Sequence, residues 1–406
     1  MKIIKLTAEN YKAFPYLEIY LEKINLIIGK NGAGKSSILR LAPIIIESIR
    51  NDKLDINPRG ISLANSISDL LFKNIIGTAL TLGLEFEEDR KVYSFRTSLL
   101  YDRDERKIKV SEFSFIDDEG EINYTKDFSS IGDFYLNENK KVDIDFLGLL
   151  PNIKNVKDRA KRERLEVLNS LKLHFNSEYL NYLGPFRKSP SRVYPIVDSC
   201  DNDTGIHGEN SPYIIYNHTN NPNLEFIEDI NHWTKENMEG SKLEIIKDQF
   251  SFSINVIKNS ISSNIVDHGV GFSQILPLIT SRFSRRKFNI NGIEIIEQPE
   301  LHLHPAMCGS IIDLYIDIVS EDNKICILET HSKETILRLR RRIAESKDNA
   351  IENNVQIIYV DQNENGSYIE YINILEDGSL SWWPSGVFEE AYEEIIAIQG
   401  IKKNAS

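Results

Sequence analysis

Eight consecutive residues, Gly29-Lys30-Asn31-Gly32-Ala33-Gly34-Lys35-Ser36, spell G-x-x-x-x-G-K-S between the apolar run INLII and the start of a helical pattern. Each residue type answers a need of a bound polyphosphate. Glycines let the backbone turn N–H groups toward phosphate oxygens, and the following helix adds the positive end of its dipole. Lys35 reaches the outer phosphates, and Ser36 offers a hydroxyl to Mg²⁺. A glycine-rich turn that binds nothing is the competing reading, and the strand, loop, helix order argues against it.

Gly292-Ile293-Glu294-Ile295-Ile296-Glu297-Gln298-Pro299-Glu300 is an apolar strand that ends in acids and a proline. A carboxylate at the end of a strand beside the phosphate-loop strand can hold Mg²⁺ through its water shell, and a neighbouring acid can orient an attacking water. Glu297 is therefore the metal-side candidate, with Ser36 as its hydroxyl partner. Standing alone, the segment reads equally well as a strand exit with solvated acids. It continues as Leu301-His302-Leu303-His304-Pro305, whose two histidines could suggest a metal. No third ligand lies nearby in sequence, so a loop that touches a partner's nucleotide fits better.

A third segment, Asp267-His268-Gly269-Val270-Gly271-Phe272-Ser273-Gln274, precedes the helical run ILPLITSRF. Glycines and a hydroxyl at the mouth of a helix suit a second anion-facing loop, although a helix cap is the plainer alternative. The chain already has one phosphate loop, so a second phosphate reader implies a second subunit. Last comes Glu329-Thr330-His331-Ser332 at the end of the strand-like KICIL, where His331 can hydrogen-bond a γ-phosphate.

These segments need a sheet to carry them. Ile3 to Leu6, Leu17 to Tyr20 and Ile24 to Ile28 have the apolar density of strands, and from Ser36 a helix is expected until Pro43 disturbs it. Between Leu80 and Ile131, TLGLEF, VYSFRTSLL, KIKVSEFSF and EINYTKDF predict a curved antiparallel sheet. Lys157 to Phe175 predicts one amphipathic helix and Glu225 to Met238 another. After Asp267 the pattern is α/β, with Ile293 to Ile296, Ile325 to Leu328 and Val355 to Val360 as short buried strands. The two ends read as one domain interrupted by the middle.

Composition excludes several classes. The chain has 406 residues, 41% hydrophobic and 27% charged, enough for a large core in a soluble globular protein. Cys200, Cys308 and Cys326 are scattered, which predicts neither a disulfide framework nor a zinc site and fits a reducing compartment. MKIIKLTAENYKAF breaks its apolar residues with charges, and no run approaches a membrane span, so a cytoplasmic location is expected. A net charge of −13 confines any nucleic-acid contact to local patches.

In this order the motifs resemble the Walker A, signature, Walker B, D-loop and His-switch segments of ATP-binding-cassette heads. The chain is similar to prokaryotic ATPases related to SMC and recombination-repair heads and to the overcoming-lysogenisation-defect family. LTAENYKAF resembles their opening, with Lys12 as its basic residue, and Asn31-Gly32-Ala33-Gly34-Lys35-Ser36-Ser37 resembles their NGAGKSS loop. EQPELHLHP matches their E-x-P-E-x-H-x-H-P run. YLGPFRKSP, ETHSKETILRLRRRI and DGSLSWWPSGVFEE resemble a branch many of whose members sit in antiviral defence operons. The match is good over Met1 to Ser48 and Leu180 to Glu390 and poor over Glu85 to Ser170.

The resemblance implies an α/β P-loop fold: a mixed sheet flanked by helices, an antiparallel β-lobe, an inserted α+β middle region and no long coiled coil. Residues 1–50 and 260–390 would form the ATPase head, 51–259 the lobe and helical insertion, and 391–406 a tail. ATP and Mg²⁺ would be held by Lys12, Asn31 to Ser37 and Glu297, with Glu297, Gln298, Glu300 and His331 at the catalytic position. Gly271, Ser273, Gln274 and His304 would face the nucleotide of a second copy, giving a homodimer or higher homo-oligomer with composite sites. The implied role is a sensor or scaffold for an effector encoded by a neighbouring gene, with no membrane contact. The alternative is a DNA-binding repair ATPase, and a transport cassette is disfavoured.

Three departures bear on hydrolysis. Gln298 stands where a water-activating glutamate is usual, and an amide cannot accept a proton. Glu300 is the substitute that the sequence offers. The first glutamine in the chain is Gln249, so the region of Asp69, Leu70 and Leu71 is the candidate for the missing Q-loop, and His304 replaces the D-loop aspartate. Slow turnover is expected. DNA contact would draw on Arg282, Arg285, Arg286 and Lys287, on Arg338, Arg340, Arg341 and Arg342, or on Lys157, Arg159, Lys161, Arg162 and Arg164. Solvated helix faces are the plainer reading of such runs.

Overall fold

The computed structural model describes residues 1–103, 105–128, 134–197, 202–219, 225–346 and 350–388. The expected tail and Cys200 lie outside the described residues. The chain opens with the hairpin β1 (Lys2–Tyr11) and β2 (Phe14–Tyr20), then β3 (Ile24–Gly29) and α1 (Lys35–Arg50). β4 (Leu80–Glu88), β5 (Lys91–Asp102), β6 (Lys107–Asp117), β7 (Gly120–Lys126), β8 (Phe134–Asn137) and β9 (Lys140–Asp143) follow. A small hairpin of β10 (Phe146–Leu147) and β11 (Leu150–Pro151) leads to α2 (Arg159–Leu165) and α3 (Val167–His174).

β12 (Leu180–Leu183) and β13 (Tyr194–Pro195) precede α4 (Ser211–Thr219) and α5 (Phe226–Asn237). Next are β14 (Lys242–Lys247), β15 (Ser251–Lys258) and β16 (Ile261–Asn264). The last third alternates α6 (Val270–Lys287), β17 (Gly292–Glu297), α7 (Pro305–Tyr315), β18 (Lys324–Glu329) and α8 (Lys333–Glu345) before β19 (Val355–Asn363) and β20 (Gly366–Ile372).

The six-stranded sheet that carries the motifs runs β12-β17-β18-β3-β19-β20, parallel except for β20. Strand residues alternate between its faces. Ile27, Ile293, Ile295 and Ile327 pack on one face against α1 and the eight-stranded sheet β2-β1-β4-β5-β6-β7-β8-β9. Leu26, Ile28, Ile296 and Leu328 pack on the other face against α6, α7 and α8. This explains why INLII, IEII and ICIL are continuously apolar rather than alternating: both faces are covered. The longest helix among the described residues is α6, with 18 residues, so the middle region holds a β-lobe and short helices rather than a coiled-coil arm. None of the described helices is long and apolar enough to cross a membrane.

Two sequence expectations need correction. α1 does not stop at Pro43 but runs through it to Arg50. A proline inside a helix removes one backbone donor, and burial of Leu39, Leu41, Ala42, Ile44, Ile45, Ile46 and Ile49 offsets that loss. The helix expected over 157–175 is two helices, α2 and α3, divided at Glu166, whose N–H reaches only back to Glu163 in a tight turn. Arg164, at the end of α2, is tied to Asp117 and the Gly120 carbonyl of the lobe, which fixes the direction of α2 independently of α3.

Candidate functional site

β3 ends at Gly29 with φ 147°, and a Cβ there would lie 2.1 Å from the Val360 carbonyl oxygen. Only glycine lets the loop leave the sheet so close to β19. Gly34, at φ 105°, caps α1, and a Cβ on it would come 2.9 Å from the Phe14 ring. The loop is thus clamped between β19 and the opening hairpin, and the first turn of α1 opens onto it with its positive dipole end. Ala33 is buried and donates its N–H to Lys30 O at 3.3 Å.

Lys35 is buried, and its ammonium folds onto the loop, 2.9 Å from Gly29 O and 2.8 Å from Lys30 O. Burial pulls its pKa below the usual lysine value, and the nearby Glu329 charge opposes that shift. A cleft of about 350 Å³ lies over it. The loop lines this cleft with Asn31, Gly32, Gly34, Lys35, Ser36 and Ser37, and the strand ends line it with Gln298, Glu329 and His331. The lysine, two serines and the glycine backbone of the loop therefore line one polar hollow, residue types that suit a triphosphate, with the Glu329 carboxylate at its side.

The strand order moves Glu297 relative to expectation. β17 is not beside β3: β18 lies between them, with Glu297 in register with Glu329 and Glu329 in register with Ile27. Glu297 is buried, accepts the Tyr182 hydroxyl hydrogen bond, and sits 4.0 Å from the Arg40 guanidinium of α1. Burial holds its carboxyl above the usual range, although the Tyr182 bond and Arg40 pull the other way. The carboxylate that meets Ser36 is Glu329, at 3.3 Å from Oγ to Oε2. Among the described residues no group of three or more His, Cys, Asp or Glu could enclose a metal. Mg²⁺ is commonly bound by one or two carboxylates together with waters and substrate phosphate.

Gln298 lines the cleft and has φ 43°, with its N–H on the Glu329 carbonyl at 2.9 Å. Glu300 instead turns to the backbone of the switch segment, where Oε1 accepts the His331 N–H at 2.5 Å. Burial raises its pKa also. His331 enters the cleft, its Nε2 3.7 Å from Glu329 Oε1. Three other proposed residues are engaged elsewhere. The Lys12 ammonium bonds Leu63 O at 2.6 Å, and His304 caps α7 by accepting the Ala306 N–H at 3.2 Å. The Asp69 carboxylate accepts the Asn65 and Ser66 N–H groups as the cap of its own short turn.

The third segment is helical earlier than its sequence suggests, because α6 begins at Val270. Gly271 lies in the first turn with open space around its Cα, while Ser273 is buried and its hydroxyl donates to Val270 O at 2.6 Å. Gln274 is buried and reaches Arg187, whose guanidinium donates to Gln274 Oε1 at 3.4 Å, to Gln298 O at 2.9 Å and to Glu297 O at 2.8 Å. Arg187 thus joins the start of α6 to the end of β17. Burial pulls its pKa down to about 10.

Sequence reasoning gave no role to Arg40, nor to Tyr182 and Arg187, although the last two lie in the run YLGPFRKSP. Glu329 was in view only as a neighbour of His331, although a carboxylate closing a buried strand is the same signal that singled out Glu297. We predict that Arg187→Ala strips buried carbonyls of their donor and costs about 3 kcal/mol in urea unfolding, with Arg187→Lys recovering part of it. A loss below about 0.5 kcal/mol would show that these bonds stabilise nothing.

Loop, cleft and six-stranded sheet give the chain a mixed α/β fold of the P-loop class. The profile of the AAA ATPase domain family matches residues 1–145 and 82–336, and the chain belongs to that family. Similar folds include an Smc head bound to the C-winged helix domain of ScpA, at 13% identity over 92% of this chain and 98% of that chain, with TM-score 0.48. The SMC head domain from Thermotoga maritima matches at 13% identity, 91% and 98% coverage and TM-score 0.41. An Smc head with an extended coiled coil from Pyrococcus furiosus, bound to the C-terminal domain of ScpA, matches at 13%, 98%, 99% and 0.44. No curated protein matches the chain.

Proposed function

We propose that the chain binds Mg·ATP in the Gly29–Ser36 loop, hydrolyses it slowly and pairs with a second copy in the ATP state. The pair then acts as a sensor or scaffold that restrains or releases a separately encoded nuclease or toxin in antiviral defence. The observation that supports this reading is that Gln298 lines the cleft, where an amide cannot accept a proton from water. A long-lived ATP state is suited to signalling. Val270, at the mouth of α6, is 58% exposed and Gly271 beside it is unobstructed, which leaves this end of the helix open to a partner's phosphates.

The DNA-repair alternative draws less support from the basic runs, because most of their side chains are engaged by acids or carbonyls. Arg282 is buried against Asp317 and Glu321, and Arg286 pairs with Asp317 at 3.1 Å. Buried Arg285 bonds the Glu178 and Asn291 carbonyls, each at 2.9 Å. On α8, Arg338 and Arg342 share Asp313, Arg341 pairs with Glu345, and Arg340 donates to Gly378 O. Arg159, Lys161 and Arg164 are paired with Glu163, Glu138 and Asp117.

The test is phage challenge of a host that carries the gene with its neighbours. Protection is expected in the wild type and is expected to vanish in Lys35→Ala; equal protection by both would contradict the assignment.

A further inference from the structure

We propose that Arg187 is a positioning residue for hydrolysis, holding Gln298 at the cleft, an inference that rests on the reading of ATP and Gln298 above. Gln298 lines the cleft with φ 43°, the left-handed region that a residue with a side chain seldom adopts. It also precedes Pro299, which favours an extended residue before it. Such a conformation costs free energy and persists where its surroundings over-determine it.

Both backbone groups of Gln298 are held. Its N–H donates to Glu329 O of β18 at 2.9 Å, and its carbonyl accepts the Leu301 N–H at 3.1 Å and Arg187 Nη1 at 2.9 Å. The first two bonds are main chain to main chain; the hold that a side chain supplies is that of Arg187. Through Nη2 the same guanidinium donates to Glu297 O at 2.8 Å. One planar fork therefore grips the carbonyls on either side of the Gln298 Cα, which fixes the direction in which the Gln298 side chain leaves the backbone. The fork is itself anchored. Arg187 is buried, the Lys188 N–H donates to His207 O at 2.8 Å, and His207 Nδ1 lies 2.7 Å from Phe186 O, so both neighbours of Arg187 are pinned. An amide cannot accept the proton of water, but it can orient water by hydrogen bonding, and that use depends on its place.

The test is a double-mutant cycle read in ATP hydrolysis. Arg187→Lys keeps the charge and loses the fork. It is expected to lower kcat about tenfold while KM stays within about twofold. In that background Gln298→Glu should raise kcat less than about tenfold, against about 100-fold with Arg187 in place. Arg187→Gln, a shorter planar donor without the charge, is a second variant and should show the same loss of coupling. Affinity for the β,γ-imido analogue of ATP, within about twofold of wild type, checks that each variant keeps its nucleotide site. Wild-type kcat and a full gain from Gln298→Glu in both Arg187 variants, with lowered unfolding stability alone, would make Arg187 a structural donor and overturn the inference. No gain from Gln298→Glu with Arg187 in place would instead refute the reading of Gln298 on which it rests.

Discussion

Lys35→Ala is expected to weaken ATP binding by about 100-fold, or roughly 2.7 kcal/mol, in calorimetry. The ammonium is buried, and its visible partners are two carbonyls of its own loop, Gly29 O and Lys30 O. These neutral contacts leave a full positive charge to be matched, and burial has already lowered the lysine pKa. A triphosphate supplies the missing negative charge where little water screens it. The alanine variant keeps the loop glycines and the helix dipole, so residual weak binding is consistent. Equal affinity in variant and wild type would remove the loop from nucleotide binding altogether.

Gln298→Glu should raise kcat for ATP hydrolysis by about 100-fold, the range of a positioned general base. The residue lines the cleft, and the change from amide to carboxylate is isosteric, so it tests proton acceptance rather than shape. Glu300 was the other candidate base from sequence. Its carboxylate accepts the His331 N–H at 2.5 Å, and it does not line the cleft, so Glu300→Gln should change kcat less than about tenfold. Turnover abolished by Glu300→Gln and untouched by Gln298→Glu would reverse these roles.

Much of this was legible in local sequence. The loop Gly29 to Ser36 declared itself because its glycines, lysine and serine lie within one turn of chain, and the buried strands declared themselves by unbroken apolar runs. Strand order was not legible. Periodicity says that IEII and ICIL are strands, but not that β18 inserts between β17 and β3, and this order gives Glu329 the contact with Ser36. Pro43 misled because a local rule was set against the packing of a long isoleucine-rich face that only the tertiary fold reveals. The partners of the basic runs were not legible either: Asp313, Asp317, Glu321 and Asp117 meet them from other elements. The role of Arg187 was not legible in YLGPFRKSP because its partners are distant in sequence, Gln274 by 87 residues and Gln298 by 111.

ATP is expected to pair two copies by joining the loop of one to the α6 mouth of the other. Light scattering in ATP, in ADP and without nucleotide tests it directly. With Mg·ATP the mass should approach twice the 46.7 kDa of one chain and fall back with ADP, and the difference should vanish in Lys35→Ala. One unchanged mass in all three conditions would contradict ATP-driven pairing.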